Sequence, residues 1–246
     1  MRFFITLSYD GAAYHGWQIQ PNATTVQQCL NVALSTLLRM PIETMGAGRT
    51  DTGVNAAMMV AHFDVPMALD CVALVRKLNS FLPQDIAVSR ISQVDDNAHA
   101  RFDAVSRTYH YHVYTAKNPF HRHYGMQLYY EPDFDLMNKA AAKLLEVTDF
   151  TSFSKLHTDV KTNNCDVMKA EWTQVGDNLW RFEIKADRFL RNMVRAIVGT
   201  LLEVGKGKLT IDEFVTIIHK KNRCAAGDSV PGNALSLVDI GYNYPI

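Results

Sequence analysis

The side-chain pattern of this chain changes period in a set order and then runs through the same order again. "RFFITLSY" (2–9) is β-rich and alternates, as a strand does. After a loop, "PNATTVQQCLNVALSTLLRM" places apolar Val26, Cys29/Leu30, Ala33/Leu34 and Leu37/Leu38 at helical spacing, with Thr24 or Thr25 as N-cap. A short strand is expected near Met45, then a Gly/Thr loop, a strand over 57–65, a helix over 70–82 closed by Pro83, and a strand over 85–94. The order is β-α-β-β-α-β.

The second pass has a strand over 105–115, a short extra strand within 125–131, and a helix over 135–146. A hairpin turns across "GDN", and helices follow over 188–205 and 210–221, the latter capped by Thr210. "ALSLVDIGY" is the last strand. This predicts an α+β fold (an α/β sandwich) of two ferredoxin-like, RRM-like halves with antiparallel sheets and a cleft between them. The halves are 1–100 and 101–246, joined near 96–104.

With 48% hydrophobic residues in 246, the chain can bury a real core. Its 25 basic and 25 acidic residues give no whole-chain reason to expect a nucleic-acid partner. The last quarter differs: residues 181–246 hold ten Lys/Arg and seven Asp/Glu. Such a local excess can bind phosphates, although by charge alone it reads as a solvated helix face. The N-terminus is too soon polar for a signal peptide, and no apolar run approaches the ~18 residues of a membrane span. The four Cys lie far apart, and Cys29 and Cys71 fall in apolar helical stretches, so they are read as reduced core residues. A cytoplasmic protein is expected.

Four stretches carry candidate chemistry. "AGRTDTGVNA" (47–56) sets the lone acid Asp51 among Gly and Thr, two residues from Arg49. Gly-flanked loops ordinarily just turn, so a solvated turn Asp is the default reading of this loop by itself. In "FLRNMVRAIVG", Arg195 lies inside an apolar helical run, so burial and a carboxylate or phosphate partner distant in sequence are expected. Helical spacing would set Arg188, Arg191 and Arg195 on one stripe. In "SRTYHYHVY", Arg107, Tyr109 and Tyr111 share one strand face, where a Tyr beside an Arg stacks a base or simply fills core. The His pairs 110/112 and 121/123 have no Cys or carboxylate at ligand spacing, so no metal is expected. "YDGAAYHGWQIQ" (9–20) is a loop that fits RNA contact and aromatic packing equally well.

Taken with "AHF", "ARFDAVSRTYHY", "DFTSF", "RFLRNMVRAIVGTLLEVG" and "PGNALSLVDIGY", these stretches resemble the tRNA pseudouridine synthase A family across essentially the whole chain. The resemblance implies conversion of uridine to pseudouridine in the anticodon stem-loop, at tRNA positions 38–40, by a homodimer that uses no cofactor and acts on a flipped base. It implies that Asp51 is the catalytic aspartate, accompanied by Arg49. Tyr109 packs on the target base, Arg195 pairs with Asp51, and Leu235 lines the pocket. Basic residues including Arg188, Arg191, Lys206 and Lys208 would track tRNA phosphates. This chain departs from the commoner family loop, Arg-Thr-Asp-Ala-Gly-Val-His-Ala, at Thr52 and Asn55, and carries Ala234 where Gly is usual. "TNNCD" (162–166) replaces a more basic stretch. Two other classes use the same features: a non-catalytic RNA-binding module, and a nucleosidase that would recruit a second acid, for which Asp10 is the candidate.

Overall fold

The computed structural model describes residues 1–155 and 162–246. Nine strands and five helices follow the predicted order among these residues, and the fold is α+β. Contacts divide the chain into two compact units, Met1–Ser106 with Ser236–Ile246, and Arg107–Leu235.

In the first unit, β1 (Arg2–Tyr9), α1 (Val26–Leu38), β2 (Met45–Gly46), β3 (Asn55–Asp64), α2 (Cys71–Phe81) and β4 (Ile86–Val94) follow in turn. β1 is central: Ile5 lies opposite Ala61 of β3 and Ile91 of β4, both antiparallel. β2 adds to β3, also antiparallel, through Met45 and His62. The strand order is therefore β4-β1-β3-β2.

Helix starts are set by side chains that satisfy the first free backbone N–H groups. Thr25, the second of the two candidates, accepts from Gln28 N, and Asp70 accepts from Ala73 N. Val26, Leu30, Ala33 and Leu34 of α1 and Leu74 and Leu78 of α2 are buried. Around Phe4 gather the rings of His62, Tyr242 and Tyr244. The C-terminal strand β9 (Leu235–Tyr242) lies parallel to β3, with Ser236 beside Asn55.

The second unit carries β5 (Ala104–Tyr114) from Arg107 onward, β6 (Met126–Gln127), α3 (Phe134–Ala142), β7 (Val167–Gly176), β8 (Leu179–Ala186), α4 (Met193–Gly205) and α5 (Ile211–His219). β8 pairs antiparallel with both β5 and β7, and β6 lies parallel to β5. Asn178 turns the β7–β8 hairpin at φ 56°. α4 is the hub of this core, with Met193, Val194, Ala196, Ile197, Val198, Leu201, Leu202 and Val204 buried. Phe134 stacks on Trp180 with ring centroids 3.7 Å apart. α5 opens on a capping box in which Thr210 and Glu213 satisfy each other's backbone N–H.

Two expectations are corrected. The helix expected over 188–205 begins only at Met193. Asn192 adopts the left-handed region at φ 67°, which no right-handed helix can run through. Just upstream, the Asp187 carboxylate accepts the backbone N–H of Arg188 and of Asp166, both at 2.7 Å, and so pins a non-helical path. Arg188 and Arg191 therefore share no helical stripe with Arg195. All four Cys are free thiols, but Cys29 and Cys71 are only half-buried; Cys165 is the buried one.

Candidate active site

Asp51 sits on the 47–54 loop between β2 and β3, half-buried, with Arg49 exposed beside it. The loop is a built object. Asp51 O accepts Val54 N at 3.1 Å, closing a turn whose third residue, Gly53, has φ +75°, a conformation that favours glycine.

The aromatic loop 9–20 braces it. The Tyr9 hydroxyl shares a 2.8 Å hydrogen bond with the Thr50 hydroxyl. Trp17 N donates to Thr50 O at 3.2 Å, and Gly53 N donates to Tyr14 O at 3.3 Å. Gly16 has φ +86°, and a Cβ there would collide with the Thr50 carbonyl, so the two loops touch backbone to backbone. Gly11 N donates to Asn55 Oδ1 at 2.8 Å, which gives the departure at Asn55 a structural duty. Tyr14 donates to Asp85 at 2.5 Å; burial first, then that carboxylate, pushes its phenol far above its ordinary value. Asp10 closes its own turn, accepting Ala12 N at 2.9 Å.

This support was not legible from residue types. The density of Gly and aromatics in 9–20 was its only signal, and that signal suits ligand contact as well as packing.

In the second unit, Tyr109 is buried on β5, its ring edge-on to Phe189 at 5.2 Å and 89°. Arg107 donates to Asp187 O at 2.8 Å. The structure thus brings Tyr109 to the 187–192 segment that carries Arg188, half-buried, and Arg191, exposed. Arg195 is half-buried rather than buried, because it lies in the first turn of α4 instead of mid-helix. Its Nε donates to Val230 O at 2.7 Å, and Val230 N returns a bond to Arg195 O at 3.3 Å.

The chain from Val230 to Leu235 is tied to β5 as well. Tyr111 donates to Pro231 O at 3.1 Å, and His112 N donates to Ala234 O at 3.1 Å. Leu235 ends this segment 5% exposed. Lys206 and Lys208 both contact Glu203, at 2.8 and 3.2 Å. Phe189, Asp187 and Val230 had no signal in the sequence.

Among the described residues no group of three His, Cys, Asp or Glu could hold a metal ion. No helix among them is long and apolar enough to cross a membrane.

Fold and loop together define an α+β protein that presents a carboxylate from a rigid, glycine-rich loop at the end of a sheet. A family model described as tRNA pseudouridine synthase matches residues 5–103 and 140–243. The chain is 60% identical over 243 residues to the tRNA pseudouridine synthase A of Bacteroides thetaiotaomicron, covering 98% of this chain and 90% of that protein. It is 59% identical over 244 residues to that of Bacteroides fragilis, covering 98% and 96%. To that of Bacillus subtilis it is 41% identical over 247 residues, covering 99% and 100%. The chain belongs to the tRNA pseudouridine synthase family, and it is an enzyme of the isomerase class.

Proposed function

We propose that this protein isomerises uridine to pseudouridine in the anticodon stem-loop of tRNA, at positions 38–40, as a cytoplasmic homodimer that needs no cofactor. The reaction breaks the N1–C1′ bond, turns the uracil and rejoins it through C5. Nothing is oxidised and no water is consumed, so one carboxylate can suffice where glycoside hydrolysis normally uses two.

The observation that carries the reading is the braced loop around Asp51, within a chain whose relatives bear the name of this activity. A catalytic group works best when its position is set before substrate arrives. The hydrogen bonds and glycine contacts of the 9–17 segment serve that end.

The proposed roles follow the residues. Asp51 acts as nucleophile or base, and Arg195 keeps it ionised. The target base leaves its stack at a cost of a few kcal/mol, Arg49 fills the vacated space, and Tyr109 and Leu235 hold the flipped uracil. Arg188, Arg191, Lys206 and Lys208 meet backbone phosphates, the last two sharing Glu203 as counter-charge. The strand order β4-β1-β3-β2, all antiparallel, supports a ferredoxin-like first half. The β5-β8-β7 order supports the same plan in the second.

The deciding experiment incubates the protein with unmodified tRNA and no cofactor, then maps pseudouridine by carbodiimide-blocked primer extension. Stops at the anticodon-arm uridines are expected. Free uracil instead of an intact isomerised chain would make the protein a nucleosidase, and binding without either product would make it a module.

A further inference from the structure

A cavity of about 160 Å³ opens beside the Asp51 loop, lined in part by Gln18, Gly46, Gly48, Arg49 and Arg101. Arg49 and Arg101 line it and no carboxylate does, so its chemistry is that of an anion site. It is too small for a dinucleotide or other drug-sized ligand.

Arg101 is presented by a fixed turn. Its backbone N–H and that of Phe102 both donate to His99 Nδ1, at 3.1 and 3.2 Å, and His99 N donates to the Asp103 carboxylate at 2.7 Å. The guanidinium lies 5.9 Å from the centre of the Phe102 ring. On the opposite side, Gly46 lets the Trp17 indole pack directly against β2, since a Cβ there would strike the ring. At Gly48 a Cβ would meet no atom within 4 Å; the room left by the missing side chain is open.

We propose that this cavity binds a backbone phosphate of the RNA substrate, on a nucleotide close in sequence to the one isomerised. Arg101 is its cationic wall, while Arg49, which also lines it, is the residue that fills the space the flipped base leaves. Arg49 lies two residues from Asp51, a span of at most about 7 Å along the chain, so a phosphate held here belongs to the immediate surroundings of the target. The site adds register: it fixes the strand to the loop that carries the carboxylate, as phosphate contacts do. The proposal deepens the reading above and rests on it.

Two variants of the full chain test it without touching Asp51. Arg101→Gln removes charge, and Gly48→Val fills the space with apolar atoms where the backbone is not left-handed. Each should raise the KM for tRNA about tenfold, and in Arg101→Gln kcat at saturating tRNA should stay as in wild type. Each should also lower the slope of log affinity against log salt by roughly 0.7–0.9, the loss of one phosphate contact. The double variant should be little worse than either single one, because both abolish the same contact.

Wild-type KM and salt slope in a Gly48→Val protein with an unchanged melting temperature would overturn the proposal. So would a fall in kcat at constant KM in Arg101→Gln, which would place Arg101 in the chemistry. Equilibrium tRNA binding reads the salt slope without turnover. If wild type made no pseudouridine, the functional reading would fail while the phosphate site was still judged on its own.

Discussion

Asn55 and Gly16 explain how a loop of small residues holds a carboxylate still. Asn55 reaches back to the Gly11 amide, and Gly16 offers no side chain to keep the Thr50 carbonyl away. Gly16→Ala puts a methyl group both in a left-handed backbone position and against that carbonyl. It should cost about 1–3 kcal/mol of stability and lower kcat by roughly 10- to 100-fold with tRNA binding retained, because the aim of Asp51 is lost before its charge is. Urea unfolding and single-turnover rates read the two effects separately. Asp51→Asn keeps the shape and removes both nucleophilicity and basicity. Its turnover should vanish while a gel-shift assay still finds the complex; appreciable turnover would dismiss Asp51 as the catalyst.

At the scale of elements, the late start of α4 decides where the cations go. Asn192 supplies the left-handed residue, and its Nδ2 donates to Ser229 Oγ at 2.5 Å, tying the helix start to the segment that holds Val230. The two contributions can be separated. Asn192→Gly loses only the side-chain bond and should cost about 1 kcal/mol. Asn192→Ala loses the bond and adds left-handed strain, for about 2–3 kcal/mol in all. Equal losses in denaturant melts would mean that the backbone geometry at Asn192 carries no strain. Arg195 gains from the same arrangement: one turn further into α4 it would be surrounded by helix, whereas in the first turn its Nε reaches the Val230 carbonyl.

For the molecule as a whole, two histidines contribute to the acid limb of stability. Burial first, then the charge of Arg2, pushes His62 down to about 4, and its Nδ1 must stay unprotonated to accept Ala100 N at 3.2 Å. Burial first, then His110, also pushes His112 down to about 4. Both are neutral in the folded state and take up protons on unfolding below their ordinary value near 6.5. Their contribution is therefore complete above pH ~6.5 and is lost as pH falls toward 4. The unfolding free energy should decline across that window, and His62→Asn, which can keep an acceptor for Ala100, should flatten the decline even while lowering the absolute value. A pH-independent midpoint between 7 and 4.5 would contradict this.

Most signals that act within a few residues were legible in the chain: the switch between periods of two and 3.6, the caps at Thr25 and Thr210, and the loop that sets Asp51 among Gly and Thr. They determined the elements, their order and the α+β class. Arg195 drew attention for the same reason, since a cation in an apolar run is anomalous in any fold. What remained hidden depends on partners far apart along the chain. Tyr9 and Thr50 are 41 positions apart, and Gly11 and Asn55 are 44 apart. The same holds for the parallel pairing of β9 with β3, and for the cavity that Gly48, Arg49 and Arg101 line together. No local propensity encodes such meetings, because each becomes favourable only after loop closure and core burial have brought the two backbones together. The sequence by itself set a carboxylate among Gly and Thr; the tertiary structure decided how firmly that loop is held and what surrounds it.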